Sequence, residues 1–570
     1  MPTITLSFDL NNRLKVKKDK ANSYDSCIIY DSAENKNFLD KLHWQNKDYD
    51  CYIDYHSNHT SPDLFLTWDA LQSAEKTEAL TSLLDLIEPY LINISYLKFN
   101  QTDYVYRFRN KKERNTQIYK NDRNIIYQSQ LCSTIKAIRR IKEKISNDPI
   151  TLNFGAVEYI LPSHFGFCLG VQNAIERAYE TIANYPDRRI YMLSELIHNP
   201  FVNNDLNKRG LKYLQTDKGQ WLDADGKAVV DMSDISALWN QLKLNDIVII
   251  PAFGATHEDK IRLIKKGISL KEFDATCMLV EKVWKAIKKH SEEGFTTLIH
   301  GKYYHEETKA TFSNALSYGP ALILADIEEA KLLGSIIMAP KEAKRKLFDK
   351  HFINRCSPGF NPDTDLEKIA VVNQTTLLRN LTIEIINYFR ELIIEKYGEA
   401  NRREHLWDNE KGDTLCYATQ VNQDALIKAL STDLDHALVI GGKNSSNTYQ
   451  LYQICARQSG EKAHYIQSEA NIQSIDTINH YVYSQSGDNT EQTRPFINTE
   501  LSTETHANGQ PKQKKPVRIL ITGGASCPDG IIQQVISKIN EFFPKEELRS
   551  MESVLDELNE IKELEESKNG

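Results

Sequence analysis

The chain has 570 residues, of which 41% are hydrophobic and 26% are charged, and its formal net charge is −8. This balance is typical of a globular protein with several domains and gives no overall attraction to nucleic acid or an anionic membrane. No apolar run reaches the roughly 18 residues of a membrane-spanning helix, and the first residues lack the apolar segment of a secretory signal. Nine cysteines, an odd number scattered along the chain, fit a reducing compartment. We therefore expect a cytoplasmic protein.

Residues 1–150 are predicted to form a separate α+β domain. Alternating residues in TITLSFDL and the aromatic-rich segments CYIDY and YVYRFR predict strands. Between them, Leu80, Leu83, Leu84 and Ile87 recur on one side of a predicted helix.

The stretch from residue 107 to residue 144 is strongly basic, and Tyr119 and Tyr127 lie within it. Basic residues interleaved with aromatic ones are one pattern of a nucleic-acid site, where rings stack on bases. No RNA-binding motif accompanies the charge, so the sequence favours a solvated helix face or linker. A nucleic-acid site remains the alternative.

Residues 151–540 repeat one plan three times, at about 156–258, 270–380 and 412–540. Each copy has a cysteine before an amphipathic helix, then a strand that ends in a polar loop and a later strand that ends in another. The cysteines are Cys168 in HFGFCLGV, Cys277 in FDATC and Cys416 in CYATQ. The predicted buried helix faces carry Val171, Ile175, Ala178 and Ile182 in the first copy, Val280, Val283, Trp284 and Ile287 in the second, and Leu426 and Leu430 in the third.

The segments outside this plan are predicted to lie at the surface. Residues 219–231 and 341–365 are polar insertions, and residues 484–515 are predicted to form a disordered loop before the last strand. Residues 541–570 form an acidic helical tail that we expect to be solvated or to bind a partner.

Three cysteines on a threefold repeat predict one shared metal centre. Structural zinc sites usually draw four ligands from close pairs such as CxxC, and this chain has no such pair. Three distant thiolates suit a cubane [4Fe-4S] cluster, in which three irons take a cysteine each and the fourth stays open to substrate. The alternative is three ordinary buried thiols.

The loops at the strand ends are rich in hydrogen-bond donors and in glycines that let backbone amides approach a ligand, as in GGKNSSN and TGGAS. This is the chemistry of an anion site at the carboxyl edge of parallel sheets. The candidate donors are His198, His305, Thr375, Ser445, Ser446, Asn447 and Ser526. One carboxylate, Glu307 in HEET, is a candidate proton donor with Thr375 as its hydroxyl partner. Taken singly, each of these residues also fits a surface or capping role.

The motifs GFCLGV, ELIHNP, FDATC, HEET, NQTT, CYAT, GGKNSSN and GGASCPD, in this order, resemble the 4-hydroxy-3-methylbut-2-enyl diphosphate reductase family. PAFGA, HGKYYHEET and FNPDTDL are closest to its plant and cyanobacterial branch. The resemblance implies three similar α/β units in a pseudo-threefold trefoil around one [4Fe-4S] cluster held by Cys168, Cys277 and Cys416.

The resemblance also implies the reaction. It is the reductive dehydroxylation of (E)-4-hydroxy-3-methylbut-2-enyl diphosphate to isopentenyl and dimethylallyl diphosphate, the last step of the methylerythritol phosphate route to isoprenoids. The substrate hydroxyl would bind the open iron, and ferredoxin or flavodoxin would supply two electrons. Glu307 would be the proton source with Thr375 as its partner. The substrate and its diphosphate would be held by His198, His305, Thr375, Ser445, Ser446, Asn447 and Ser526.

Two positions depart from the short bacterial pattern of this family. Phe253 replaces a histidine, as is usual in the plant-like branch, and Val421 replaces an asparagine shortly after CYAT. If the source carries plastids, the resemblance implies the plastid stroma instead of the cytoplasm.

Two other functions fit the same residues. A hydro-lyase would use the open iron to remove a hydroxyl without net electron transfer. A regulatory protein would join a cluster-bearing fold to a basic RNA-contacting domain in residues 1–150.

Overall fold

A computed structural model describes residues 2–18, 23–30, 36–56, 64–97, 118–119, 124–142, 148–407, 414, 416–482, 490–497 and 515–569. The predicted strand YVYRFR and the first part of the basic stretch lie outside these ranges. No helix among the described residues combines the length and the apolar character needed to cross a membrane.

The N-terminal region is a mixed sheet covered by helices. Its strands are Thr3–Asp9, Leu14–Lys18, Tyr24–Ser26, Asn37–Trp44, Lys47–His56 and Leu64–Leu66, and its helices are Trp68–Ser73, Glu78–Ile87 and Leu91–Leu97. Thr3–Asp9 pairs in parallel with Lys47–His56, and the other pairings are antiparallel. The predicted helix face is confirmed, since Leu80, Leu83, Leu84 and Ile87 are all buried.

The N-terminal sheet shares one hydrophobic core with the first repeat. Its Ile4 and Leu80 belong to the same buried cluster as Leu193 and Leu263 of that repeat. A hydrogen bond of 2.8 Å from the Tyr96 hydroxyl to the Asp274 carboxylate joins the two regions as well. The N-terminal region therefore packs directly on the first of the three repeats.

Each of the three repeats contains a parallel sheet in which the first strand lies between the second and the third. The central strands are Ile190–Met192, Thr296–His300 and His436–Ile440. On one side lie Lys212–Tyr213, Ala321–Leu324 and Ala463–Ile466, and on the other Ile247–Ile249, Ile369–Asn373 and Val517–Gly523. The predicted α/β class with three similar units is confirmed, and these are called the first, second and third unit below.

Helices cover both faces of the three sheets. The first unit has Leu169–Asn184, Pro200–Lys208, Leu238–Gln241 and His257–Lys265. The second has Met278–Glu292, Glu306–Ala315, Ile327–Met338, Lys341–Phe352, Arg379–Tyr397 and Arg402–His405. The third has Tyr417–Leu430, Ser446–Ser459 and Asp529–Asn540. The helices that follow the cysteines bury the predicted faces, with Ile175, Val283 and Leu426 fully enclosed.

The third unit extends beyond its predicted bounds. The strand Val157–Leu161, predicted with the first unit, pairs in parallel with Val517–Gly523, and Ile150–Asn153 pairs with it in turn. The helix Gln130–Lys142 packs on the same core through Leu131 and Ile135. Chain segments from both sides of the predicted boundary at residue 151 thus build this unit.

Three of the surface predictions are wrong in part. The helix Met551–Asn569 is acidic as predicted, but it buries Val554 and Leu558 in the core of the third unit. Residues 341–365 bury Phe348 and Phe360. The strand Thr490–Pro495 lies within the segment predicted to be disordered and forms a hairpin with Thr477–Val482.

The two tyrosines of the basic stretch are buried. Tyr119 and Tyr127 contact each other edge to face and both contact Tyr179 of the first unit. The Tyr127 hydroxyl also donates a hydrogen bond of 3.2 Å to the Asp205 carboxylate. Neither ring is available to stack on a base, so this part of the nucleic-acid alternative is wrong.

Candidate active site

Each predicted cysteine ligand is the N-cap residue of a helix. Cys168 caps Leu169–Asn184, Cys277 caps Met278–Glu292 and Cys416 caps Tyr417–Leu430. The first backbone amides of a helix lack partners within the helix and carry partial positive charge, which favours a thiolate. At the first cysteine, the Val171 amide lies 3.5 Å from the sulfur. The same local geometry therefore recurs in all three units.

The tertiary structure brings these cysteines together. A Cβ placed on Gly170 would lie 2.5 Å from the Cys277 sulfur and 3.8 Å from the Cys168 sulfur, so both sulfurs border one glycine. Burial raises the pKa of Cys168 to about 11, and the nearby Cys416 thiol adds to the shift. Burial likewise raises the pKa of Cys277 to about 12, with contributions from the other two thiols. The three thiols are close enough to repel one another as thiolates.

The donor set fits an iron–sulfur group better than a single ion. Within the described part of the chain, no cluster of three or more histidine, cysteine or carboxylate side chains is arranged to hold one metal ion. Three thiols at helix N-termini, one buried and two half-buried, without histidine or carboxylate among them, match the all-thiolate ligation of iron–sulfur clusters. Because raised pKa values keep free thiols protonated, binding of the group has to displace protons.

Three aromatic rings from two units lie beside one another. His198 of the first unit stacks on Phe253, with ring centroids 4.3 Å apart. His305 of the second unit meets His198 edge to face at 5.3 Å and meets Phe253 at 5.8 Å. Phe253, one of the two departures from the short bacterial pattern, therefore fixes the plane of the His198 ring. Val421, the other departure, is half-buried on its helix.

His305 is held in one tautomer. As the N-cap of Glu306–Ala315, its Nδ1 accepts a hydrogen bond of 3.2 Å from the Glu307 amide. Burial lowers the pKa of His305 well below its ordinary value, so the ring is neutral and carries its proton on Nε2. This Nε2 has no hydrogen-bond partner among the described residues and is a ready donor.

Glu307 is a buried acid with one oxygen anchored and one free. The side chain is 1% exposed, and Oε1 accepts a hydrogen bond of 2.5 Å from the Thr375 amide. Oε2 finds no partner in the described part of the chain. Burial raises the pKa of Glu307 to about 7, although the amide and hydroxyl of Thr375 oppose the shift. The carboxyl group is therefore suited to hold a proton at neutral pH.

The predicted anion donors form a second group beside the first. Ser445 caps the helix Ser446–Ser459, and the Ser526 hydroxyl lies 3.4 Å from the Ser445 hydroxyl and donates to the His198 carbonyl at 3.2 Å. Asn447 accepts a hydrogen bond of 2.7 Å from the Ala525 amide through Oδ1. Its Nδ2 is buried and has no partner among the described residues, so it is free to donate.

A glycine permits the close approach of the first and third units here. A Cβ on Gly442 would lie 2.2 Å from the His198 carbonyl oxygen, closer than any real contact. The GGKNSSN loop can therefore reach His198 only because this position has no side chain.

Two residues that the sequence analysis did not single out complete the site. Gln374 accepts hydrogen bonds from the Lys302 amide and the Thr308 hydroxyl and donates to Ser446 at 3.3 Å, so it ties the second unit to the third. Glu306 lies next to Glu307 and places Oε2 3.9 Å from Nε2 of His198. Gln374 lies inside the motif NQTT and Glu306 inside HEET. The sequence signal for Glu306 was the pair of neighbouring carboxylates in a loop of hydrogen-bond donors.

The sequence-predicted residues thus form one connected group at the junction of the three units. His198 contacts His305 and Ser526, Ser526 contacts Ser445, and Glu307 binds Thr375. The charge of Glu307 also contributes to the raised pKa of Cys416, after burial and against the hydrogen bonds of Thr419. Thiols, buried donors and a buried acid therefore face the same region.

Comparisons with known proteins show which sequences and structures this chain is similar to. The family model described as LytB protein matches residues 160–540. A 4-hydroxy-3-methylbut-2-enyl diphosphate reductase of Synechococcus sp. (strain CC9605) is 35% identical over 413 residues, which are 72% of this chain and 90% of that protein. The enzyme of the same name from Nostoc sp. (strain PCC 7120) is 36% identical over 397 residues, 70% of this chain and 88% of that protein.

A solved structure of the E-1-hydroxy-2-methyl-but-2-enyl-4-diphosphate reductase from Plasmodium falciparum aligns with 66% of this chain and 86% of its own, with 20% identity and a TM-score of 0.43. The assignment rests on the sequence comparisons, in which the family model spans well over half of the chain and the relatives exceed 30% identity. The resemblance predicted from the eight motifs is confirmed, and this chain belongs to the LytB family of 4-hydroxy-3-methylbut-2-enyl diphosphate reductases.

Proposed function

We propose that this chain reduces (E)-4-hydroxy-3-methylbut-2-enyl diphosphate to isopentenyl and dimethylallyl diphosphate, as the last step of the methylerythritol phosphate route. Each turnover consumes two electrons and two protons and releases water. The observation that carries the proposal is the meeting of three N-cap cysteines, from three equivalent units, beside a buried acid and a group of buried donors.

Cys168, Cys277 and Cys416 are the proposed ligands of one [4Fe-4S] cluster. When bound, the cluster would supply the electrons and an open iron for the substrate hydroxyl. The protein's own contribution is positional. Three helix N-termini offset the negative charge of the thiolates, and Gly170 leaves room for the sulfurs of two units at one place.

The diphosphate is the proposed ligand of Ser445, Ser446, Asn447 and Ser526, with His198 and His305 beside it. A hydrogen bond to a charged group contributes about 1.5–3 kcal/mol, so a few such bonds can offset the cost of ordering a small substrate. The serine hydroxyls and the Asn447 amide are already placed by the Ser446–Ser459 helix and by Ala525. Little reorganisation is then needed when the anion enters.

Glu307 is the proposed proton source. Its Oε1 is fixed by the Thr375 amide, so the proton is held at Oε2, which is buried and has no hydrogen-bond partner among the described residues. Burial excludes water from this carboxyl group, which keeps the proton from exchanging before it reaches the substrate carbon. Thr375 is proposed to orient the acid and to lie against the substrate.

Electrons are proposed to enter from the thiolate side. The residue after each cysteine is apolar and exposed, with Leu169 62%, Met278 39% and Tyr417 72% accessible. The opposite side is closed by the buried donors. A ferredoxin or flavodoxin in the cytoplasm, or in the stroma of a plastid-bearing source, is the proposed donor.

The test begins with anaerobic reconstitution of the protein with iron and sulfide. Iron analysis and Mössbauer spectra with and without the substrate then follow, and reduced methyl viologen drives turnover. About four irons per chain, one distinct iron signal that shifts with substrate and release of both five-carbon diphosphates would support the proposal. Turnover without any reductant would favour a hydro-lyase instead, and a loaded but inactive protein would favour a regulatory role.

A further inference from the structure

A cavity of about 260 Å³ lies next to the candidate active site, and it is called the chamber below. Its wall includes Ser194, Gln215, Lys218, Thr256, Glu306 and Lys309, from the first two units. Glu258 also borders it, and its side chain is 80% exposed. The chamber therefore has polar walls and reaches solvent at its rim, which suits it to hold water.

Glu306 separates the chamber from the buried donors. Its side chain is 11% exposed, and its Oε2 lies 3.9 Å from Nε2 of His198. Neither of these two atoms has a hydrogen-bond partner among the described residues. A small shift of either side chain, or one bridging water, would connect them.

His198 lies beside the buried acid Glu306 and interacts electrostatically with a second buried acid, Glu307. Its positive form lowers the pKa of both acids, although burial dominates both pKa values and raises them. Its Nδ1 lies 3.4 Å from the Glu195 carboxylate, and stacking on Phe253 fixes the ring. The imidazole is thus held where its Nε2 can take a proton from Glu306, and a bridging water would carry the proton on to Glu307.

The proposed reaction consumes two protons per turnover, and Glu307 is too deeply buried to regain them from bulk water directly. We propose that the chamber is the proton entrance of the active site and that Glu306 passes protons from its water to His198, which returns them to Glu307 through a bridging water. This inference rests on the proposed function of Glu307 as the proton source.

Each passage moves one proton and no electron. A hydronium ion in the chamber gives its proton to the Glu306 carboxylate. The O–H bond of Glu306 then breaks as an N–H bond forms at Nε2 of His198. That N–H bond breaks as its proton passes to a bridging water, which gives one of its own protons to the Glu307 carboxylate and is left as neutral water. Two passages restore the two protons that one turnover uses.

The charges around this path favour it. Burial raises the pKa of Glu306 to about 7, with Glu195 and Asp217 adding to the shift and His198 opposing it. Burial works against the protonation of His198, but Glu195 and Glu306 outweigh it and raise its pKa. Lys218 and Lys309 also line the chamber, and their positive charges balance the acids there. Glu306 therefore exchanges its proton near neutral pH, and the raised pKa of His198 favours its accepting one, as a relay requires.

The kinetic test compares Glu306→Gln with Glu258→Gln in the reconstituted holoenzyme. The second change makes the same acid-to-amide substitution at the exposed rim of the same chamber. We expect Glu306→Gln to lower kcat by at least about tenfold, to increase the solvent isotope effect and to leave KM unchanged. Glu258→Gln should match the wild type. Wild-type kcat and an unchanged isotope effect in Glu306→Gln would overturn the proposal.

A rescue experiment separates proton entry from structural damage. In Glu306→Ala the chamber opens toward His198, and formate, a small weak acid, should restore part of kcat in proportion to its concentration while leaving the wild type unaffected. Thermal unfolding and iron content, measured beside it, report on folding and on the cluster. A folded, iron-loaded Glu306→Ala that formate does not rescue would contradict the relay.

Infrared spectroscopy tests the proposal without turnover. We expect a carboxylic-acid band that disappears as pH rises through about 7, shifts at once in D2O and is missing in Glu306→Gln. A missing band, or one that exchanges only slowly, would overturn the role of Glu306. Because this readout does not depend on the substrate, failure of the relay is distinguished from failure of the proposed reductase activity, which the wild-type turnover assay decides.

Discussion

Gly170→Ala is the sharpest test of how the structure brings the cysteines together. Gly170 is the second residue of the helix Leu169–Asn184 and has no positive φ, so its backbone accepts a side chain. Alanine in a helix is favoured over glycine by about 1 kcal/mol. The substitution should therefore leave the protein folded.

The added methyl group would nevertheless disturb the metal ligands. Its carbon would lie 2.5 Å from the Cys277 sulfur, whereas non-bonded heavy atoms sit at about 3.5–4.0 Å. The sulfur must move by about 1 Å, and metal–ligand distances tolerate only about 0.2 Å. Since even the loss of an outer contact of a metal site typically costs about 10–100-fold in affinity, we expect iron to be released to a chelator at least about tenfold faster.

The assay is iron content, visible absorbance and chelator-driven iron release after anaerobic reconstitution, with thermal unfolding of the iron-free protein alongside. Gly319→Ala is the matched control, because its Cβ would meet Ser291 at an ordinary 3.5 Å. If Gly170→Ala kept the full iron content and the release rate of Gly319→Ala, the inference that Gly170 makes room for the Cys277 sulfur in the loaded site would be refuted.

Four further outcomes follow from the same structure. Glu307→Gln should lower kcat by about 10²–10⁴-fold with little change in KM, and an unchanged kcat in the variant would exclude Glu307 as the proton source. The wild-type rate should also fall as pH rises through about 7, where Glu307 loses its proton. Asn447→Asp keeps the oxygen that accepts from the Ala525 amide but replaces the free Nδ2 donor with a negative oxygen. KM should rise at least about tenfold, and an unchanged KM in steady-state kinetics would argue against diphosphate binding there. In the iron-free protein, the double variant Glu306→Gln, Glu307→Gln should gain more stability over the wild type at pH 8 than at pH 5, because the two acids have folded pKa values of about 7, above their ordinary value of 4.5. Their contribution to stability is present below the unfolded pKa and is lost as pH rises through 7, up to about 3 kcal/mol for each group, and an equal difference in melting temperature at both pH values would contradict the raised values. Tyr417→Glu places a negative charge on the exposed side that carries the three cysteines. It should slow turnover with a ferredoxin but not with methyl viologen. An equal loss of rate with both reductants would argue against electron entry on that side.

Local patterns in the sequence were sufficient to predict the repeated unit and most of its functional side chains. In the helix after each cysteine, apolar residues recur every three to four positions, so the helix can bury only one face. Ile175, Val283 and Leu426 lie on the predicted faces. Polar loops at the ends of parallel strands must meet at one edge of a sheet. His198 and Ser445 were therefore recognisable as site residues from their places in the chain.

Contacts between units were decided only by the tertiary structure. Periodicity shows that a side chain is buried but not which distant segment covers it, so the sequence did not indicate that Val157–Leu161 joins the third sheet or that Val554 is buried. The basic and aromatic pattern around Tyr119 also fits a surface that stacks on bases, but in the folded protein this ring is buried against Tyr179.

The same limit applies to the chemistry of the site. The sequence supplies Glu306 and His198 in different units, and only folding brings their side-chain atoms to 3.9 Å and excludes water around them. Desolvation then raises the pKa of an acid that would be ionised in the unfolded chain. Residue types and local spacing thus determined which chemical groups this protein has, whereas long-range packing determined which of them are neighbours and whether they hold a proton.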